Sequence, residues 1–264
     1  MPHSIKTLAL LSLLAAAAAG AADLAQITAR GTLRVIVMPL GPDDEFFPVP
    51  ATKRAGLDRD VLDGFARLHK LKIEVVPVEG WDNLIPALLQ GRGDLIAGRF
   101  TVTDARLKQI AFTAEVFPSR NVVMTRRPHP RVDSVEALRT ERVGTIRGSS
   151  MAEAVKAVVP ASNVDDSIAP GGLPAALVSR KVTAVVLGIE SAIADREEDP
   201  EIELGAFVGP PGSLAYGVRK EDPELRQALS DYIDNLRRTS TWSRLVMKYF
   251  GEAAPDILRK ARSN

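Results

Sequence analysis

The sequence predicts an α/β protein built as two successive units, each a mostly parallel sheet flanked by helices. Three observations predict it. Short β-branched apolar runs alternate with amphipathic stretches, the signature of strands joined by covering helices. That alternation occurs twice, before and after about Arg127. The segment between, TRRPHPRVD (125–133), is rich in proline and charge, as inter-lobe linkers often are.

The elements follow in order. LRVIVM (33–38) reads as a buried strand by its β-branched content. DRDVLDGFARLHK (58–70) puts Val61, Leu62, Phe65, Ala66 and Leu68 on one helical face. KIEVVPV (72–78) alternates as a strand. WDNLIPALLQG (81–91) is a short helix, with Asp82 as expected N-cap, Pro86 near its first turn and Gly91 as its stop. LIAG (95–98) is a strand, and TDARLKQI (103–110) opens a helix on Thr103 as cap.

The second round begins with ERVGTIRG (141–148), a strand. SSMAEAVKAVV (149–159) is a helix in which Ser150 and Glu153 have capping-box spacing. LPAALVSRK (173–181) is a helix, and VTAVVLG (182–188) and IELGAFV (202–208) are strands. GSLAYGVRK (212–220) reads as a further strand. DPELRQALSDYIDNLRR (222–238) starts with Asp as cap and Pro at the first helical position. TWSRLVMKYFG (241–251) is a last helix ending at Gly251, with a helical or frayed tail beyond.

The start of the chain is of another kind. In MPHSIKTLALLSLLAAAAAGAAD, Lys6 is the only charged side chain before Asp23, and a short apolar core leads into small residues. This is the pattern of a cleavable secretory signal over 1–22. The apolar run is short of the roughly 20 residues of a spanning helix. A soluble periplasmic protein is expected, expected also to be a monomer. With no cysteine in 264 residues, such a protein must hold together by its core.

Charge and composition exclude several classes. A formal net charge of +1, with both signs interspersed, gives no basic face for nucleic acid. His69 and His129 are the only histidines after the signal, and no G-x-S-x-G occurs, so a serine hydrolase is poorly supported. The same shortage argues against zinc, and no cofactor is expected.

Taken together, the motifs resemble the extracellular solute-binding proteins, family 3, which serve ABC importers of polar amino acids. The resemblance covers about 31–251. It rests on GTLRVIV, GLDRDVLDGFARLHKLKIEVVPV, WDNLIPALLQGRGDLIAG, TVTDARLKQIAFT, RVGTIRGSSMAEAV, LVSRKVTAVVLG and YGVRKEDPELRQALSDYIDNLRRTSTWSRLVMKYFG, in that order. It implies a type II periplasmic-binding-protein fold: a discontinuous first lobe (23–124 and 213–264), a second lobe (125–212) and a ligand cleft between them. It further implies hinge closure on a ligand and transient docking to a membrane ABC permease.

Site residues follow from the same resemblance. Arg106 closes the T-x-x-R segment and would bind a ligand carboxylate. The chemistry agrees, since a guanidinium fork matches a carboxylate and a first helical turn adds free N–H groups. Trp81 would wall the pocket. Thr101 would offer a hydroxyl, and Ser149 and Ser150 would meet the ligand from the second lobe. Gly98 and Arg99 precede Thr101, and Arg147 precedes the Gly-Ser-Ser turn.

The sequence also departs from the pattern. Where the amino-acid binders carry aspartates around their VDAVVVD-like strand, this chain has Thr183 and Gly188. Glu190 comes two residues late and would need a shifted loop to substitute. Arg99 replaces a small or hydroxyl-bearing residue, and Arg59 an apolar one. The expected cleft thus loses a negative charge and gains positive ones. An acidic, non-zwitterionic ligand is expected in place of a standard amino acid: a dicarboxylate, a keto or hydroxy acid, or an N-blocked amino acid. Two alternatives stand beside transport. One is a dehydratase-type enzyme on this fold, with Glu115, Glu190 or Asp43 as acid. The other is a sensor, because TWSRLVMKYFGEAAPDIL (241–258) also resembles the solute-binding module of lytic transglycosylases of the F type.

Overall fold

A computed structural model describes residues 23–50 and 55–263. The expected signal segment, 1–22, lies outside the described residues. Among those described, no helix is long and apolar enough to cross a membrane.

The first unit runs α1 (Leu24–Arg30), β1 (Thr32–Val37), α2 (Leu57–Leu68), β2 (Lys72–Pro77), α3 (Trp81–Leu89), β3 (Leu95–Ala97), α4 (Asp104–Leu107) and β4 (Ala111–Phe112). The second begins with β5 (Phe117–Arg126) and continues through α5 (Val135–Leu138), β6 (Val143–Gly144), α6 (Ser150–Lys156), β7 (Val164–Asp165), α7 (Leu173–Val178), β8 (Ala184–Gly188), α8 (Ile189–Glu198) and β9 (Ile202–Leu214). The chain then closes with β10 (Gly217–Val218), α9 (Pro223–Arg237), α10 (Ser240–Phe250) and α11 (Ala254–Ala261).

These strands make two five-stranded sheets. The first has order β2-β1-β3-β10-β4, with β1 parallel to β2 and β3, and β10 antiparallel to β3 and β4. The second has order β7-β6-β8-β5-β9, with β6 parallel to β7 and β8, and β5 antiparallel to β8 and β9. Both sheets are mixed and carry helices, the α/β architecture expected.

β5 and β9 both belong to the second sheet, and the chain enters and leaves the second unit along them. These pair from Phe117↔Leu214 to Arg126↔Ile202. Leu214 also bridges to Thr101, so the end of β9 is tied to the segment after β3. β9 is one continuous strand where the sequence suggests two, despite Pro210 and Pro211. It lies at the edge of its sheet, where a missing N–H costs no ladder bond. The proline-rich 125–133 segment begins in the end of β5 and turns within the second unit, with the Arg127 N–H bonded to the Glu201 carbonyl.

Burial explains the elements. On α2, Val61, Leu62 and Phe65 are fully buried with Leu33 and Val35 of β1 in one cluster, each contributing roughly 1.5–3 kcal/mol. The other face of the first sheet buries Ile36 and Ile96 against Leu84 and Leu88 of α3. α11 leaves the first unit: Ala254, Ile257 and Ala261 pack with Val122, Met124, Ile189 and Ile193 of the second. α8 is a helix the sequence does not announce, because only Ile189, Ala192 and Ile193 mark its buried side.

Three expected caps are corrected. α3 is entered from Gly80 at φ +83°, and Asp82 sits in its first turn. α6 is capped by Ser149, whose Oγ accepts from the Ala152 N–H at 3.1 Å; Ser150 is one residue inside. Asp222 precedes α9 but is committed to Arg219 at 2.7 Å. The Asp23 carboxylate caps α9 in its stead, accepting from Leu225 N–H at 2.8 Å and Glu224 N–H at 3.3 Å. Thr103 caps α4 as expected, accepting from the Arg106 N–H.

Candidate ligand-binding cleft

The segment leaving β3 builds one wall. Gly98 (φ +82°) and Arg99 (φ +59°) turn the chain over the start of α2, and their N–H groups both donate to Asp58 Oδ2, at 2.9 and 3.4 Å. The chain then extends through Thr101 to Thr103 and enters α4. That short helix delivers the Arg106 guanidinium, 8% exposed, to the cleft. Its Nη1 donates to the Thr101 carbonyl at 2.7 Å and its Nη2 to the Gly148 carbonyl at 3.4 Å, across the two units. Its Cζ stands 4.1 Å from the Phe100 ring centre. Burial lowers the Arg106 pKa to about 10, against the fields of Glu153 and Asp82, so it stays cationic at neutral pH. Its partners are carbonyls, and the charge faces the cavity.

The cavity itself measures about 270 Å³. Trp81, Arg99, Thr101, Arg106, Ser149, Ser150 and Glu190 all line it, from both units. Trp81 is buried at the start of α3, its indole Nε1 without a hydrogen-bond partner. Ser150 Oγ donates to Thr101 Oγ1 at 3.0 Å, joining the units directly. Ser149 is spent internally, since its Oγ also donates to the Ile146 carbonyl at 2.6 Å.

Gly98 and Arg147 are placed elsewhere. Gly98 packs near Phe47 and Val37 behind the wall. Arg147 points outward and pairs with Asp166 at 3.0 Å on a side chain 70% exposed. It adds no positive charge to the cavity. Thr183 is also remote, its hydroxyl bonding Glu141. Arg59 pairs with Asp63 on its own helix at 3.0 Å.

The expected loss of negative charge is corrected by Glu190. β8 runs directly into α8, with Gly188 as the residue before the helix. The first turn folds the Glu190 side chain back, so a Cβ on Gly188 would lie 2.8 Å from its carboxyl carbon and its Oε2. A carboxylate therefore occupies the space above position 188. Glu190 is buried, with Oε2 unpartnered. Burial raises its pKa, offset by the field of Arg99.

The loop before α2 adds acids that the sequence reading passes over as a ligand wall. Asp43, Asp44 and Glu45 line the cavity, with Asp195 and Ser191 from α8. The signal was the acidic run after Gly41-Pro42, uninformative until the loop is folded over the cleft. Asp44 Oδ1 accepts from the N–H groups of Phe46 and Phe47 at 2.9 and 2.6 Å, which fixes that loop. Arg99 Nε meets Asp44 Oδ2 at 3.1 Å, its Nη2 meets Glu45, and its Nη1 donates to Ser191. Burial raises Asp195 to about 6. On balance the cavity walls carry more acids than bases, opposite to the charge the sequence suggested. Among the described residues, no cluster of metal-ligating side chains occurs. Glu115 is held away by Arg237, Arg262 and Ser213, as a structural anchor.

Two mixed sheets joined by paired crossing strands, with an ionic cavity between them, define a two-lobed solute-binding architecture. The chain matches the bacterial extracellular solute-binding proteins, family 3, over residues 33–252, and it belongs to that family. It is 28% identical over 207 residues to a probable histidine-binding protein of Campylobacter jejuni, covering 75% of this chain and 77% of that one. It is 25% identical over 211 residues to the lysine/arginine/ornithine-binding periplasmic protein of Escherichia coli, covering 74% and 78%. A membrane-bound lytic murein transglycosylase F of Desulfosudis oleivorans is 22% identical over 201 residues, covering 74% of this chain but 44% of that protein. Among solved structures, a mutant of ArgBP from T. maritima superposes with a TM-score of 0.74 at 25% identity, covering 86% of this chain and 99% of that one. An ancestral arginine-binding protein bound to arginine gives 0.72 at 26% identity, covering 84% and 99%.

Proposed function

We propose that this chain is the periplasmic binding component of an ABC importer and that its ligand is an L-α-amino acid. The observation that carries the ligand class is the pairing of opposite charges in one cavity. Arg106 presents a buried cation without a carboxylate partner of its own. Glu190 presents a buried carboxyl with a free oxygen. A zwitterion satisfies both: its carboxylate on Arg106, with the hydroxyls of Thr101 and Ser150 beside it, and its ammonium on Glu190. Either charge left alone in such a site is expensive. The indole of Trp81 walls the ligand.

The named ligands of the relatives, histidine and lysine, arginine or ornithine, support the same class. An acidic ligand loses its basis once Glu190 stands in the cavity and Arg147 outside it. Export through the signal segment 1–22 and hand-over to a membrane permease complete the reading.

Calorimetric titration of the purified chain with amino acids and with C4 and C5 dicarboxylates tests it. An amino acid binds best, and Arg106→Ala and Glu190→Gln each weaken it about 30-fold or more, as roughly 2 kcal/mol for a charged hydrogen bond requires. A dicarboxylate that binds more tightly than every amino acid would overturn the reading.

A further inference from the structure

Arg99 lines the same cavity as Arg106 but is used differently. Its charge is met by groups of the protein itself. Nε meets Asp44 Oδ2 at 3.1 Å, Nη2 meets Glu45, and Nη1 donates to Ser191 of the opposite unit. Its Cζ lies 5.0 Å from the centre of the Phe46 ring. Two carboxylates, a hydroxyl and an aromatic face are the parts from which a guanidinium-binding site is made. Here they hold a guanidinium that belongs to the chain.

The backbone is shaped to deliver it. Arg99 adopts φ +59°, uncommon for a residue with a side chain, directly after Gly98 at φ +82°. Asp58 Oδ2 receives both N–H groups and holds the turn. The side chain is thereby directed between the acidic loop and the first turns of α8. The space left, about 270 Å³, is at the small end for ligand pockets.

The geometry points to Arg99 as a tethered occupant of the acidic end of the cleft, filling the place of a cationic ligand side chain and selecting amino acids with short or neutral side chains over arginine and lysine. This rests on the amino-acid reading given above. A second cation brought to this end would meet the charge of Arg99 at short range and would find Asp44 and Glu45 already paired.

Wild type, Arg99→Ser and Arg99→Lys are titrated calorimetrically with neutral L-amino acids, L-arginine and L-lysine, and melted with and without millimolar methylguanidinium. Wild type binds at least one neutral amino acid tenfold or more tightly than L-arginine or L-lysine. Arg99→Ser shifts the ratio of L-arginine to neutral-ligand affinity tenfold or more toward L-arginine, and methylguanidinium raises its melting temperature but not that of wild type. Arg99→Lys keeps the charge and keeps the discrimination, a readout that stands even if the serine variant does not fold. The inference is overturned if wild type binds L-arginine or L-lysine as well as any neutral amino acid, or if Arg99→Ser weakens all ligands alike and ignores methylguanidinium; in both cases the amino-acid reading survives. If no amino acid binds any of the three proteins, the amino-acid reading falls and the selectivity with it.

Discussion

The carboxyl group of Glu190 stands over Gly188, in the volume that a side chain at 188 would need. The two positions are therefore coupled, and only one of them can hold an acid in that place.

Gly188→Asp alone is expected to destabilise the fold by about 1 kcal/mol or more, because it sets a second acid against the buried Glu190 carboxyl and forces that side chain aside. Gly188→Asp combined with Glu190→Ala removes the conflict. The double variant should recover most of the lost melting temperature and bind the same ligand class as wild type. Thermal melts and titrations of the two single variants and the double variant complete the cycle.

Asp58 gives the pH dependence a named source. Burial raises its pKa from 3.8 to about 7, against the N–H groups of Gly98 and Arg99, which lower it. The folded state thus holds a proton that the unfolded chain releases near pH 4. Its favourable contribution is complete below pH 4 and is lost as pH rises to about 7, by on the order of 4 kcal/mol at most. Asp58→Asn keeps an acceptor for the two N–H groups but cannot ionise. Urea melts at pH 4.5 and 7.5 should show a smaller fall in stability for the variant than for wild type.

Asp23 serves two helices. Its Oδ1 accepts from Leu24 N–H at 2.8 Å as well as from Leu225 N–H of α9. Asp23→Ala is expected to cost about 1–2 kcal/mol, the upper range for a lost N-cap. Asp23→Asn should cost less than half of that, by the same melts.

Ile257, 1% exposed on α11, fastens that helix to the second unit. Ile257→Ala should cost about 2–4 kcal/mol through lost burial and a residual cavity. Hydrogen exchange should rise in α11 and in α8 beneath it, with little change around β1.

The fold was legible where its signals are local. Thr103 caps α4 and the apolar face of α2 is buried as its spacing predicts, because each depends on neighbours a turn away. The misreadings share a cause. Ser149 and Ser150 are both competent caps, and which one ends the loop is set by the turn at Gly148. Asp222 has the right place for a cap, but buried Arg219 claims it, and the acid that replaces it comes from the far end of the chain. Within the site, Arg106, Trp81 and Thr101 reach the cavity as the motifs suggest. Arg147 does not, since it is drawn to Asp166 on the outer surface, a partner 19 residues away that motif spacing does not report. Glu190 is close to Gly188 only because β8 passes into α8 without a loop. The acidic wall of Asp43, Asp44 and Glu45 is a feature of folding a loop over a cleft, and no sequence periodicity reports it.

The strand order of the first sheet carries a further consequence, for assembly. β10 lies between β3 and β4, yet the whole second sheet is threaded between β4 and β10 in the chain. The first sheet cannot close until residues from Gly217 onward arrive, and α9 cannot be capped by Asp23 before then. Such long-range pairing pays loop-closure entropy before it returns contacts, and folds slowly for that reason. The second sheet is drawn from one contiguous stretch, Phe117 to Leu214, within which β5 pairs with the later β8 and β9. The first sheet is thus completed by the end of the chain, after the second sheet has been threaded through it in sequence.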